Sequence, residues 1–245
     1  MSNNLLKGKR GIIFGALNDM SIAWKVAERA QEEGATFTLT NAPIAMRMGA
    51  INDLAEKTNS EVIPADATSV EDLKHLFEKS QEILGGKVDF VLHSIGMSPN
   101  VRKKKQYTGL NYEWYKQTLD VSAMSLHKTL QVAYDMDALN NWGSVLALTY
   151  IAAQRIFPDY NDMADAKSLL ESITRSFGYH YGTAKKVRVN TISQSPTVTT
   201  AGSGVSGFDK FISFSENMSP LGNAGALDCA NYCIAIGYPS FLFRI

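Results

Sequence analysis

Residues 9–40, KRGIIFGALNDMSIAWKVAERAQEEGATFTLT, decide the fold. An apolar run ends at Gly15, residues 21–33 show helical spacing of apolar side chains, and TFTLT at 36–40 is a second apolar run. Gly34 is a stop signal for the helix. This order predicts the first strand–helix–strand unit of a parallel sheet.

The same alternation continues outward along the chain. It favours an α/β fold with a Rossmann-like, doubly wound parallel sheet. Since no linker or repeat divides the chain, residues 1–245 are predicted to form a single domain. We expect further helices over 46–57, 70–84, 112–139 and from Pro158 to 181, with further strands at 61–64, 88–93, 144–149 and 187–192.

Composition limits the classes of partner. Lys plus Arg and Asp plus Glu both number 24, so no overall field attracts nucleic acid or an anionic membrane. The one notable basic run, Arg102 to Lys105, is interpreted as a solvated loop or as a dock for an acidic partner. The chain has no apolar signal segment and no apolar run of about 20 residues, so a soluble cytoplasmic protein is expected. Cys229 and Cys233, spaced i, i+4, indicate buried thiols, and no metal site is predicted.

The turn after the first strand, GALNDMSIA from Gly15, lacks the G-x-G-x-x-G dinucleotide pattern. Gly15 still permits a tight turn, and Ser21 is placed to cap a helix whose N-terminal amides would face a pyrophosphate. An ordinary capped turn is the alternative interpretation.

Tyr160 and Lys167 are the candidate catalytic pair. Seven residues advance a helix by nearly two turns, so both side chains are predicted on one helical face. Pro158 suits the first turn of that helix, and the preceding strand ends at Tyr150. Such a strand end is where open α/β sheets bind ligands.

With these motifs placed, the chain resembles the short-chain dehydrogenase/reductase superfamily, and within it the bacterial NADH-dependent enoyl-acyl-carrier-protein reductases. Most superfamily members space the pair as Tyr-x3-Lys, and the two copies of that spacing here lie outside the expected helix start. The resemblance runs from about residue 6 to 234 and is carried by G-x5-S-I-A at Gly15, H-S-I-G at His93, V-R-V-N at Val187, and the spacing of Tyr150, Tyr160 and Lys167.

The resemblance implies a reaction in which NADH reduces a trans-2-enoyl thioester on acyl carrier protein. Tyr160 would hydrogen-bond the developing oxyanion, while Lys167 would bind the nicotinamide ribose and lower the pKa of the phenol. Tyr150 would line the same pocket. The implied substrate residues are Ser98, Tyr150 and Tyr160.

The resemblance also implies a cofactor site, with Asp66 and Ala67 around the adenine. Residues 197–215 would form a flexible substrate-binding loop with glycine hinges at 202, 204 and 207. The implied cofactor residues are Gly15, Ser21, Ile22, Asp66, Ala67, Ser94, Ile95, Gly96, Lys167, Thr197, Val198, Thr199 and Ala201.

The end of the second strand, Thr40-Asn41-Ala42, leaves the choice of cofactor open. It lacks both the acidic residue that binds an NAD ribose and an adjacent Arg for a 2′-phosphate, although Arg47 could reach one. The resemblance favours NADH.

The C-terminal segment departs from the family pattern. Residues 236–245, IGYPSFLFRI, replace an expected strand and an Asp-Gly-Gly segment, so the last strand is expected to be missing or replaced by residues 240–245. The family implies a homotetramer, and this departure puts tetramer formation and activity in doubt. Gln194 and Ser195 are predicted to crowd the nicotinamide pocket. The alternatives are another short-chain reductase or a catalytically impaired NAD-binding protein.

Overall fold

The structure is a computed structural model that describes residues 2–47, 49–200, 202, 205 and 207–237. Within this part of the chain, six parallel strands form one sheet in the order β3-β2-β1-β4-β5-β6. The order reverses between β1 and β4, which is the switch point of a doubly wound sheet. The strands are β1 (Arg10–Phe14), β2 (Thr36–Thr40), β3 (Glu61–Val62), β4 (Val88–His93), β5 (Leu139–Thr149) and β6 (Arg188–Ser193).

Helices cover both faces of the sheet because neighbouring residues of each strand point to opposite sides. Ile12 and Phe14 pack into one core with α4, α7 and α8, whereas Ile13 packs into the other with α1, α3 and α10. The α-helices are α1 (Ile22–Glu32), α2 (Pro43–Met46), α3 (Ala50–Thr58), α4 (Val70–Leu84), α5 (Pro99–Arg102), α6 (Tyr112–Leu119), α7 (Ser125–Asp135), α8 (Asp162–Lys185), α9 (Phe208–Met218) and α10 (Ala226–Gly237).

Three predicted helices have different bounds in the structure. The helix predicted over 46–57 is divided into α2 and α3 at Gly49, which has φ 73°. The helix predicted over 112–139 ends at Asp135 and contains a π-helical turn at Asp120–Met124. The third begins at Asp162 instead of near Pro158, since residues 158–160 form a turn. The proposed substitute strand at 240–245 lies outside the described residues.

Candidate active site

The candidate site lies at the carboxyl ends of β1, β4 and β5. Phe14 pairs with His93, and His93 pairs with Ala147, so the residues that follow these strands meet at one edge of the sheet. Gly15, Ser94 and Tyr150 are therefore brought together from distant parts of the sequence.

Gly15 shapes the first turn of the site. Its φ is 89°, and a Cβ built there would lie 2.0 Å from the Ser94 carbonyl oxygen. No side chain larger than hydrogen fits at this distance, and L-residues rarely adopt this φ. The close approach of the two strand ends thus requires glycine, and it leaves backbone free to approach a ligand.

Ser21 occupies the N-cap position of α1 but does not cap it. Its hydroxyl donates to the Asn18 carbonyl oxygen over 2.5 Å, and α1 has no side-chain cap. The predicted capping bond is therefore wrong, because the turn supplies a nearer acceptor. The N-terminus of α1 still directs its amide dipoles toward this edge of the sheet.

Tyr150, Tyr160 and Lys167 are gathered at the end of β5. The Tyr150 and Tyr160 rings have centroids 5.1 Å apart at an interplanar angle of 60°. Lys167, which is 7% exposed, donates from Nζ to the Leu148 carbonyl oxygen over 2.6 Å. A Cβ at Gly96 would lie 3.9 Å from Nζ, so the ammonium lies directly beside the Gly96 backbone.

The local structure that positions Tyr160 differs from the one that the sequence pattern predicted. Tyr160 precedes α8, so the prediction that it shares a helical face with Lys167 is wrong. The Tyr160 amide donates to the Phe157 carbonyl oxygen over 2.9 Å, closing a turn. Asn161 then turns the chain into α8 with φ 45°.

Burial controls the titration of these groups. It raises the pKa of Tyr150 to about 12. It also raises the pKa of Tyr160, with the Tyr150 phenol adding to the shift. The prediction that Lys167 lowers the pKa of Tyr160 is wrong for this structure. Both phenols are therefore protonated near neutral pH and can act as hydrogen-bond donors.

Lys167 shifts in the direction expected for a buried cation. Burial lowers its pKa to about 8, and the Glu171 carboxylate partly opposes this shift. Lys167 consequently keeps most of its positive charge at pH 7.

His93 supports the site from below the sheet edge. It is fully buried, its Nε2 lies 2.8 Å from Ser125 Oγ, and burial together with the Lys167 charge lowers its pKa to about 3. His93 therefore stays neutral near pH 7.

The predicted adenine residues lie beyond β3. Asp66 is exposed, and its Oδ1 accepts from both the amide and the hydroxyl of Thr68. This Asx turn is a structural role of Asp66. Ala67 is 8% exposed. Contact of these two residues with an adenine stays a prediction.

The segment after β6 returns to the first turn. Asn18 Nδ2 donates to Thr200 Oγ1 over 2.7 Å, and the Gly202 amide donates to Thr199 Oγ1. Gln194 was expected to crowd the nicotinamide pocket. Its side-chain amide is instead held by hydrogen bonds from Nε2 to Thr197 Oγ1 and to the Ala224 carbonyl oxygen. Val198 is 59% exposed. The loop predicted over 197–215 is wrong for its second half, because residues 208–215 belong to α9. The predicted cofactor residue Ala201 and hinge Gly204 lie outside the described residues.

Ser98 has a different environment from the one expected of a substrate ligand. It is 3% exposed, its hydroxyl donates to Asp162 Oδ1 over 2.7 Å, and it accepts from the Val101 amide. The side chain caps α5, so we do not retain it as a substrate contact.

Sequence reasoning missed a row of phenylalanines next to the tyrosines. The Phe157 ring contacts Tyr150 at 5.2 Å and, edge to face, Phe211 of α9 at 5.5 Å. Phe214 lies 6.5 Å from Phe157. The i, i+3 spacing of phenylalanines in α9 was the available signal. Together these rings form an apolar wall that leads away from Tyr160.

Among the described residues, no three His, Cys, Asp or Glu side chains are grouped closely enough to hold a metal ion. Cys229 and Cys233 are buried free thiols in α10. In the same part of the chain, no helix combines the length and apolarity needed to cross a membrane.

Residues 15–238 match a family model described as enoyl-(acyl carrier protein) reductase. The chain belongs to this family. Among curated members of the enoyl-acyl-carrier-protein reductase family, it is 33% identical to the enoyl-[acyl-carrier-protein] reductase [NADH] 2 of Rhizobium meliloti over 222 residues, which cover 89% of this chain and 80% of the relative.

Solved structures agree with this membership. The crystal structure of the FabI–NADH complex from Alistipes finegoldii matches with a TM-score of 0.95 and 64% identity, covering 96% of this chain and 83% of that chain. The enoyl-[acyl-carrier-protein] reductase (NADH) of Aquifex aeolicus matches with a TM-score of 0.86 and 29% identity, covering 96% of this chain and 91% of that chain. The predicted fold class and family resemblance are confirmed.

Proposed function

We propose that this protein is an NADH-dependent enoyl-acyl-carrier-protein reductase in which Tyr160 and Lys167 are the catalytic pair. Its family makes it an oxidoreductase that saturates the trans-2 double bond of enoyl thioesters during fatty-acid elongation. The observation that carries the assignment of residues is the placement of a protonated, mostly buried Tyr160 beside Tyr150, with the Lys167 ammonium against the Gly96 backbone.

The described residues fit NADH. Gly15 leaves a cradle that a Cβ would fill, and the N-terminus of α1 offers amides to a pyrophosphate. Lys167 lies where it can donate to ribose hydroxyls. When bound, NADH supplies a hydride to the β-carbon of the substrate. The proposed cofactor residues are Gly15, Ser21, Ile22, Asp66, Ala67, Ser94, Ile95, Gly96, Lys167, Thr197, Val198, Thr199 and Ala201.

Tyr160 stabilises the charge that develops on the thioester oxygen. Its raised pKa keeps the hydroxyl protonated, so it donates a hydrogen bond without first gaining a proton. Tyr150 shares the pocket and orients the substrate through its ring and hydroxyl. The phenylalanine wall from Phe157 to Phe211 provides an apolar surface for the acyl chain.

The first experiment is NADH oxidation with a trans-2-enoyl thioester, comparing the wild type with Tyr160→Phe. Loss of one oxyanion donor lowers kcat by about 100- to 1,000-fold. Tyr181→Phe is the matched control, since that buried phenol lies in the core between α7 and α8. Wild-type turnover in Tyr160→Phe would overturn the assignment of Tyr160.

Two further measurements separate the alternatives. Another short-chain reductase would turn over ketones or unrelated enones in preference to enoyl thioesters, and an impaired NAD-binding protein would bind NADH without turnover. A lower KM for NADPH than for NADH would contradict the choice of cofactor.

Acyl carrier protein, which is acidic, is proposed to dock on the exposed basic run Arg102 to Lys105. The Lys105 carbonyl oxygen accepts from Asn161 Nδ2, so this run is joined to the residue that follows Tyr160. Lys103→Glu with Lys104→Glu should raise the KM for the acyl-carrier substrate by about tenfold and leave the KM for a coenzyme A thioester unchanged. Lys210→Glu in α9 is the control, and an equal effect there would contradict the choice of patch.

The assembly and the location of the protein are also proposals. The family implies a homotetramer, and residues 238–245 lie outside the described residues. Light scattering tests the assembly. Cell fractionation tests the proposed cytoplasmic location.

A further inference from the structure

Asp162 is a buried carboxylate that the proposed chemistry does not use. It is fully buried at the first position of α8. Its oxygens accept hydrogen bonds from Ser98 Oγ at 2.7 Å and Asn100 Nδ2 at 2.9 Å. Thr118 Oγ1 lies 2.9 Å from the carboxylate and shares its one proton between Asp162 and the Trp114 carbonyl oxygen. Hydrogen bonds from neutral donors hold this buried carboxylate in one position.

The donors to Asp162 are themselves fixed to backbone. Ser98 caps α5 by accepting from the Val101 amide at 3.0 Å. The Asn100 side chain donates to the Asn111 carbonyl oxygen at 3.1 Å and accepts from the Asn111 amide at 3.0 Å. Through these bonds, Asp162 joins the start of α8 to α5 and to the beginning of α6.

Tyr160 is held between these connected segments. Its side chain packs against a small apolar cluster formed by Val101, Met163 and Ala166. Val101 is the residue whose amide Ser98 binds. The Tyr160 carbonyl oxygen accepts from the Met163 amide at 3.1 Å, while Asn161 is held at φ 45°, which is uncommon for a residue other than glycine. A backbone in this conformation needs surrounding contacts to maintain it.

We propose that Asp162 is a positioning residue that sets the direction of the Tyr160 hydroxyl toward the substrate oxygen. The buried network fixes the backbone on the C-terminal side of Tyr160 and, through Val101, the surface against which its side chain packs. The inference rests on the proposed function, in which Tyr160 is the oxyanion donor. A displacement of about 1 Å in such a group can cost on the order of 100-fold in rate.

The primary test is Asp162→Asn, which keeps the side-chain shape but replaces one acceptor with a donor. With its oxygen toward Asn100, the variant side chain keeps that hydrogen bond, but its Nδ2 must then face the Ser98 hydroxyl, which already accepts from Val101. The remaining hydrogen bonds also lose the charge of the carboxylate that strengthened them. We expect kcat to fall by about 10- to 100-fold, while NADH affinity stays within about twofold of wild type.

Asp165→Asn is the matched control. Asp165 lies in the same turn of α8 and accepts from the Tyr107 and Tyr115 hydroxyls, each at 3.1 Å. It has no contact with Ser98 or Asn100, so kcat should stay within about threefold of wild type. An equal loss of kcat in both variants would overturn a specific role for Asp162.

A double-mutant cycle distinguishes positioning from a general defect of folding. In the Tyr160→Phe background, Asp162→Asn should lower the residual rate by less than about threefold, because the hydroxyl that it positions is absent. If Asp162→Asn lowers the rate by the same factor in both backgrounds, the positioning role is wrong.

Hydrogen exchange gives a readout that needs no turnover. Amides of residues 160–164, which close the Tyr160 turn and the start of α8, should exchange about tenfold faster in Asp162→Asn than in Asp165→Asn. Wild-type turnover in Tyr160→Phe would overturn the assignment of Tyr160 as the oxyanion donor. Wild-type turnover and exchange in Asp162→Asn, beside an impaired Tyr160→Phe, would overturn only the positioning role.

Discussion

At the scale of single residues, Lys167 combines burial with charge. Its side chain is 7% exposed, and its Nζ donates to the Leu148 carbonyl oxygen. Burial lowers its pKa to about 8 because the interior solvates the ammonium poorly. The folded protein therefore carries the cost of an incompletely solvated cation near neutral pH.

This cost predicts a pH dependence of stability. Below pH 8 both folded and unfolded chains hold the Lys167 proton, whereas between about 8 and 10.5 only the unfolded chain does. The free energy of unfolding should therefore rise through this window by up to about 3 kcal/mol relative to Lys167→Met. Denaturant unfolding of both proteins across the window measures the difference. Equal pH slopes would contradict the buried, charged lysine.

Gly15 makes a second prediction at this scale. Gly15→Ala places a Cβ 2.0 Å from the Ser94 carbonyl oxygen at φ 89°, so the two strand ends must separate. We expect a loss of roughly 3 kcal/mol or more in the free energy of unfolding, together with weaker NADH binding.

Gly85→Ala is the control for Gly15→Ala, since Gly85 has φ 74° with no neighbouring atom within 4 Å of the added Cβ. It should cost about 1 to 2 kcal/mol, the conformational part alone. Similar losses in the two variants, measured by denaturant unfolding, would show that the contact with Ser94 is unimportant.

Residue types and spacing identified Gly15, Tyr160 and Lys167, but the environments of these residues were beyond the sequence. The direction of the Tyr160 pKa shift was mispredicted because burial, together with the neighbouring Tyr150 phenol, raises the pKa. Asp162 was missed because its donors are 44 to 64 residues away in the chain. No local pattern marks such a network.

At the scale of elements, the sequence predicted some bounds and misplaced others: α4 has the predicted bounds, whereas β5 begins at Leu139 instead of 144 and β3 ends at Val62 instead of 64. Strands β2 and β4 have the predicted bounds because their apolar runs end at polar or turn residues. The start of α8 was misplaced because Pro158 is equally compatible with a turn and with a first helical position. The π-helical turn at Asp120–Met124 interrupts a pattern that reads as continuous helix.

Helix α9 is predicted to be the least protected helix of eight or more residues among those described. None of its residues is buried, and the ring of Phe211 links it to Phe157. In the free protein, its amides should exchange at least tenfold faster than those in the middle of α8, and bound NADH with an enoyl thioester should slow them. Hydrogen exchange followed by mass spectrometry tests this. Equal protection of α8 and α9 in the free protein would contradict it.

At the scale of the whole molecule, the alternation of strands and helices was sufficient to predict a doubly wound sheet. Right-handed crossovers leave few other arrangements for such an order. Alternation also explains why the site lies at the β1–β4 switch, where the connections diverge. Assembly could not be predicted in the same way, because it depends on the surface that helices present rather than on their order.

The contact between Phe157 and Phe211 fills, in the absence of substrate, part of the apolar surface that is proposed for the acyl chain. An acyl chain that enters between these rings exchanges one apolar contact for another, so only part of its transfer free energy from water becomes binding energy. Each added methylene should therefore contribute less than the about 0.8 kcal/mol of full burial. The difference in affinity between acyl chains of different length would then be small until a chain is long enough to extend past both rings. One enzyme could therefore serve successive rounds of elongation.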